Sequence, residues 1–375
     1  MKKRHAEIVG GGFAGLTAAC ALAQRGWTVR VHERADHLRT AGAGIYIYEN
    51  GLRVLEAVGA YEAAVKGAPF AHTREVRDGR NRLISVHRWT GSRVFSIVRQ
   101  NVINALAAAA TRVGVELVTD SAATGATPDG ELMLASGRSV GADLIVGADG
   151  SNSLLRDSLS LLSKRKYLVD GCTRLLIDKT AAERTPAGDA GAKTIEYWSG
   201  TRRVLYTPCS ETDIYVALTM LDKDVAAKAV PVRKDVWKRA FPHLDALLDR
   251  VGDTGRYDRF ELIKLKRWSA GRVAIIGDAA HALPPNIGQG GGCAMMNALS
   301  LAVYLERESD VGAALRAWED TERPMTDHTQ RISYILGLPT TWPPILRAAT
   351  LGVAGRSKWF TRQRTRTALH KPTGT

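Results

Sequence analysis

The residues near the N-terminus best suited to chemistry are three glycines and one acid. Gly10, Gly12 and Gly15 form a GxGxxG run directly after the apolar stretch Ala6-Glu7-Ile8-Val9, and Glu33 closes the next such stretch, Thr28 to His32. This spacing permits a tight turn at Gly10, close approach of backbone to a pyrophosphate at Gly12, and packing of a helix on a strand at Gly15. The helix N-terminus, which includes Phe13 and Ala14, adds partial positive charge. Glu33 suits the hydroxyls of an adenosine ribose and would repel a 2′-phosphate, so FAD or NAD fits this turn and NADP does not.

Two further acids stand where buried strands end: Asp149 in Gly147-Ala148-Asp149-Gly150 and Asp278 in Gly277-Asp278-Ala279-Ala280-His281. Ligands of open parallel sheets bind at such ends, and a carboxylate there can hold a polyol chain or cap the following helix. Arg174 and Arg203 fall in alternating stretches that read as strands. An inward guanidinium could clamp a carboxylate, and an outward one would be a surface charge. Tyr46 and Tyr215 are either pocket hydroxyls or core aromatics. His281 reads as a loop histidine with no nucleophile or metal ligand paired to it.

These groups need elements to position them. Residues 6–33 read as strand, helix (Leu16 to Gln24) and strand, and buried parallel-type strands recur at 142–147 and 272–278. Between them lie β-rich stretches, with strands expected at 82–86, 94–98, 173–178, 194–198, 203–207 and 215–220. Helices are expected over 101–112, 232–241 and 293–306. The fold class is therefore α/β with α+β elements. A Rossmann-like domain is assembled from residues 1–72, 98–165 and 266–335, and an antiparallel β-sheet domain from 73–97 and 166–265 is interleaved with it. Residues 336–375 form a basic, proline-punctuated tail.

Composition narrows the function classes. With 375 residues and 45% hydrophobic content the chain can bury a large core, which rules out a disordered tail or a fibre. No apolar run is long enough to span a bilayer, and the basic start lacks a signal-peptide core, so a cytoplasmic location without membrane contact is expected. Four dispersed cysteines form no CxxC pair, and no metal site is expected. The charge of +14 favours acidic partners. Nucleic acid is not expected as a partner, since the arginines of residues 74–99 come with few aromatics and no recognised module.

Three motifs in order, Gly10 to Gly15, Ala148-Asp149-Gly150-Ser151-Asn152 through Arg156, and Gly277 to His281 followed by Pro284-Pro285 and Gly288-Gln289-Gly290, resemble the fingerprints of the single-component FAD-dependent aromatic hydroxylases, the para-hydroxybenzoate hydroxylase class. The runs Gly42 to Glu56 and Gly290 to Ala298, with Asn297, are similar to the ring-opening pyridine hydroxylases within that class, the 2-methyl-3-hydroxypyridine-5-carboxylate oxygenases. The resemblance spans residues 6 to about 325.

The resemblance implies bound FAD, with Asp278 on the ribityl chain, Gly288, Gly290, Gly291 and Gly292 beside the flavin ring, and Arg99 at the phosphates. Glu33, with Arg34 or Arg39, would meet the adenosine end. It implies Tyr46, Arg174, Arg203 and Tyr215 around the substrate, with Pro285 shaping the flavin side. Arg74 and Phe260 stand where the pyridine enzymes carry tyrosines, so substituent preference is expected to differ. The implied reaction uses NADH or NADPH as a transient reductant and O2. A flavin 4a-hydroperoxide would hydroxylate a small anionic aromatic substrate, a hydroxypyridine carboxylate, with ring opening as an option. A hydroxylase of benzenoid carboxylates that leaves the ring intact is the nearest alternative, and an FAD-binding reductase or regulator is the alternative of another class. A monomer or homodimer is expected.

Overall fold

The structure, a computed structural model, describes residues 3–38, 43–89, 91–184 and 193–375. Arg39 and Gly42 lie outside these residues. A six-stranded sheet runs in the order Ser269–Ala270, Val273–Ile275, Leu144–Gly147, His5–Val9, Thr28–His32, Glu116–Val118. Its pairs are parallel except the first. His5–Val9 and Leu144–Gly147 read as near-continuous apolar runs because a parallel sheet is covered on both faces. One cover is the helix Phe13–Ala23, whose small side chains let it sink against both the sheet and the helix Gly290–Arg307. That helix begins earlier than expected because Gly12 stands at its N-cap.

A seven-stranded sheet runs Arg256–Leu265, Leu162–Asp178, Asp213–Leu221, Arg202–Pro208, Lys193–Ser199, Thr73–Asp78, Leu83–Arg88. It is antiparallel except where Lys193–Ser199 pairs in parallel with Thr73–Asp78. Strand alternation gives the sheet two different faces. Leu175, Ile177, Val204, Val216, Leu218 and Met220 point to one side, where they pack with Trp237, Phe241 and Leu248 of the segment that follows. The other face carries Arg74, Thr194, Glu196, Arg203, Thr207, Tyr215 and Arg174. Register sets these side by side: Arg74 opposite Thr194, Arg203 opposite Thr219, Thr207 opposite Tyr215 and Arg174 opposite Ala217.

Two expectations need correction. Val94–Val98 does not join this sheet; it pairs with Gly44–Tyr48 as a separate two-stranded ribbon, Tyr46 opposite Ser96. The alternation that marks a strand does not specify its partner. The tail is not an irregular basic extension either. It forms the helices Pro344–Arg356 and Lys358–Thr365. Pro344 sits in the first turn, where a missing N–H costs nothing, and Ser357 Oγ caps the second helix by accepting from the amide of Phe360. The chain then returns to the body, where the Asn50 amide donates to the carbonyl of Ala368 at 3.1 Å.

Candidate active site

The glycine turn is built for close approach. Gly10 has φ +107°, and a Cβ there would lie 2.3 Å from the carbonyl oxygen of Ala148; one at Gly15 would lie 1.9 Å from the carbonyl oxygen of Gly10. Strand, turn and helix can therefore meet only through glycine. At Gly12 a Cβ would meet nothing within 4 Å, so the absent side chain leaves open space in front of the helix N-terminus. A cleft of about 510 Å³ starts there and passes Glu33, Arg34, Asp149 and Arg99. The Glu33 carboxylate accepts from the amides of Gly11 (2.9 Å) and Ala35 (3.0 Å), which fixes it at the strand end. Asp149 Oδ2 accepts from the amides of Leu154 and Leu155, whereas its Oδ1 is buried with no hydrogen-bond partner among the described residues.

The cleft is continuous, through Gly12, Phe13, Arg99 and Arg174, with a second cavity of about 390 Å³. Here Asp278 faces Arg99. Burial raises the Asp278 carboxyl above its ordinary range and lowers the Arg99 guanidinium, each offset in part by the other's charge. Arg99 lies over the Phe13 ring at 4.9 Å, and its Nε has no partner among the described residues. Orphaned polar atoms on Asp149 and Arg99, an open glycine cradle and an accessible carboxylate on the cavity wall fit a dinucleotide running from Glu33 to Asp278. Gly288, Gly290 and Gly291 line the far side. Gly292 is one step back from it, held close under Asn50 and Gln289. Gly15 serves packing and does not line the cleft.

Tyr46, Arg74, Arg174, Arg203, Tyr215, Phe260 and Pro285 all line the second cavity, with Tyr48, Trp89, Thr194, Glu196, Leu205 and Ile287. Three of its arginines have carboxylate partners, though Asp258 also serves Arg256 at 2.8 Å and the buried Arg203 Nε has no partner among the described residues. Arg74 Nη2 lies 2.5 Å from Glu196 Oε2; Arg203 lies 3.1 Å from Asp170 Oδ2 and 3.5 Å from Glu196 Oε1; Arg174 lies 2.8 Å from Asp258 Oδ2. Burial raises the Glu196 carboxyl, but Arg74 and Arg203 more than offset this, so it stays below its ordinary range. The Tyr46 hydroxyl bonds to those of Thr207 and Thr194, and burial pushes its ionisation up. Tyr215 is pushed up to about 12 by burial. Both phenols therefore stay protonated.

Several contributors escaped the sequence reading. Glu196 and Thr194 share a face by the period-two rule, and a lone acid inside Thr194-Ile195-Glu196-Tyr197-Trp198 was the available signal. Asp170 and the tail carried none. The tail sends Arg347 over the Trp198 ring at 4.9 Å, with Arg203 4.8 Å from the same ring. It also sets Arg364 near Arg74 and Tyr48, where burial and then Arg74 bring its guanidinium down to about 10. His281 is not on a loop. It lies buried in a short helix, hydrogen bonded to Asn297 at 2.9 Å, and burial lowers it to about 4.

Among the described residues no cluster could hold a metal ion, and no helix is long and apolar enough to cross a membrane. Comparison with known proteins agrees with the cradle. A family model described as an FAD binding domain matches residues 4–321. A 2-heptyl-3-hydroxy-4(1H)-quinolone synthase of Mycobacteroides abscessus is 44% identical over 365 residues, 96% of either chain. A solved structure, the tetrameric form of 2-methyl-3-hydroxypyridine-5-carboxylic acid oxygenase, superposes with a TM-score of 0.89 at 39% identity, covering 99% of this chain and 98% of that one. A Klebsiella pneumoniae protein crystallised with FAD and uric acid shares the fold at TM-score 0.80 and 23% identity, over 96% of this chain and 92% of its own. The chain belongs to the FAD binding domain family and, within it, to the FAD-dependent aromatic monooxygenases.

Proposed function

We propose that the enzyme hydroxylates a ring carbon of an electron-rich, oxygen-bearing N-heteroaromatic that needs no carboxylate, a 2-alkyl-4(1H)-quinolone being the fitting class. The observation that carries this is the charge matching in the cavity: Arg74 and Arg203 spend their charge on Glu196 and Asp170, and Arg174 on Asp258. At Arg74 or Arg203 a substrate carboxylate would have to displace Glu196 or Asp170, both buried, at a cost of several kcal/mol. The name of the 44% identical relative supports the same reading.

In this reading residues 1–72, 98–165 and 266–335 chiefly hold FAD, and residues 73–89 and 166–265, with the ribbon of Gly44–Tyr48 and Val94–Val98, hold the substrate. FAD, when bound, supplies acceptance of hydride from NADH or NADPH and activation of O2. Gly10 and Gly12 cradle its pyrophosphate, with Gly15 letting the helix seat close behind the turn; Glu33 and Arg34 meet the adenosine end, and Asp278 and Arg99 the middle. Tyr46, kept protonated and braced by Thr207 and Thr194, donates to the ring oxygen and so fixes which carbon faces the Pro285 to Gly291 side. Tyr215 is held by Arg174 on the opposite flank. Tyr48, Trp89, Phe260 and Leu205 keep water from the reacting carbon.

A hydroxypyridine carboxylate is the second reading. It is favoured by Arg364, which adds positive charge beside Arg74 and Glu196, and by the name of the 39% identical structure. Titrating holoenzyme with a 2-alkyl-4-quinolone and with a 3-hydroxypyridine-5-carboxylate, following the flavin absorbance and reductant oxidation, separates the two. Tight binding and coupled turnover with the quinolone alone support the first reading, and the reverse pattern overturns it.

A further inference from the structure

The helix Pro344–Arg356 is amphipathic in the wrong sense for water. Its buried side carries Arg347, which is 5% exposed and reaches the Trp198 ring and the carbonyl of Gly200. Its outer side carries Ile345 at 87%, Leu346 at 53% and Val353 at 68% exposure. At 100° per residue Ile345, Leu346, Ala349, Val353 and Arg356 fall within one stripe about 100° wide, so these are one face and not scattered positions. The next helix, Lys358–Thr365, continues that surface with Trp359, 68% exposed, flanked by exposed Lys358 and Arg362.

Charge tells what covers this face. After Asp327 the sequence supplies eight Lys and Arg and no Asp or Glu. An outward apolar stripe with an indole at its edge and cations around it fits an interface that is apolar inside and anionic at its rim. A second copy docking the same face would set Arg356, Lys358 and Arg362 against their own equivalents, a repulsive arrangement for a self-complementary contact.

We propose that the outer face of residues 344–366 docks on the surface of an anionic phospholipid bilayer, lying in the headgroup region without spanning it. This departs from the expectation of no membrane contact, which rested on the lack of a bilayer-spanning run, whereas an interfacial helix needs no such run. The docking stands apart from the substrate reading, since none of its residues lines the cavity.

The test uses FAD-loaded protein floated with vesicles of phosphatidylcholine containing phosphatidylglycerol, and with vesicles of phosphatidylcholine alone. Wild type is expected to float with the anionic vesicles, to be released by high salt, and to show a blue-shifted tryptophan emission that Trp359→Ser removes. Val353→Asp is expected to lower vesicle binding roughly tenfold with flavin content unchanged, because the substituted side chain is exposed in the free protein. Arg356→Gln with Arg362→Gln is expected to weaken binding to the anionic vesicles alone. Absence of flotation, or equal flotation with both lipids, overturns the proposal. So does a sedimentation profile in which Val353→Asp dissociates an oligomer, since a second copy would then cover the face.

Discussion

The Glu196 carboxylate lies 2.5 Å from the Arg74 guanidinium on the cavity wall, with Arg203 reaching its other oxygen at 3.5 Å. One acid thus serves two cations that come from strands more than a hundred residues apart in sequence. Removing it by Glu196→Gln leaves both cations under-compensated, and breaking such a partly buried set costs about 3–5 kcal/mol. The expected result is a lower melting temperature together with a reversed preference. Calorimetric titration should show weaker quinolone binding and stronger binding of a pyridine carboxylate. Unchanged selectivity would mean that the ion pairs do not set substrate charge.

Gly12→Ala separates folding from cofactor binding. No atom lies within 4 Å of the added methyl, and the residue has φ −87°, which alanine adopts freely. Thermal stability of the apoprotein is therefore expected to stay within about 0.5 kcal/mol of wild type. FAD affinity, read from quenching of flavin fluorescence, is expected to fall steeply because the methyl occupies the pyrophosphate approach. Destabilised apoprotein with normal FAD binding would place the dinucleotide elsewhere.

Asp278 lines the cavity, where desolvation raises its carboxyl against the opposing charge of Arg99. Asp278→Ala should weaken FAD binding by roughly 10- to 100-fold, the value of charge-assisted hydrogen bonds of about 1.5–3 kcal/mol. Quinolone binding to whatever holoenzyme remains should be nearly unchanged. A variant that retains flavin through dialysis as wild type does would remove Asp278 from the cofactor site.

Histidine burial sets a pH dependence of stability. His281 is lowered from 6.5 to about 4, primarily by burial. Between these values the unfolded chain binds a proton that the native chain does not. Stability is thus fully present above pH 6.5 and declines as pH falls towards 4, by up to about 3 kcal/mol for this group. His281→Gln, which can keep the bond to Asn297, should flatten that part of the urea-denaturation profile. An unaltered slope would show that another group is responsible.

Much of the fold was legible because its signals are local. The glycine turn, the acid after the second strand and the apolar runs ending in Asp149 and Asp278 each depend on neighbours in sequence, and all face one continuous cleft. Tyr46, Arg174, Arg203 and Tyr215 were reachable through the family resemblance, and they do line one cavity. What stayed hidden was set by register. Asp170 meets Arg203, and Glu196 meets Arg74, only because of how distant strands pair. For the same reason Val94–Val98 left the large sheet for Gly44–Tyr48. The tail hid its role because Arg347 turns inward and Ile345 outward, against the usual pattern by which a helix face is assigned.

The most direct test of the central claim is product analysis under labelled dioxygen. Holoenzyme, NADH or NADPH and a 2-alkyl-4-quinolone are incubated under 18O2 and the product is weighed by mass spectrometry. The account predicts one labelled oxygen on an intact ring for each reductant consumed. Reductant oxidation that yields only hydrogen peroxide with every N-heteroaromatic offered, or label in an opened ring from a pyridine carboxylate with the quinolone untouched, would contradict it.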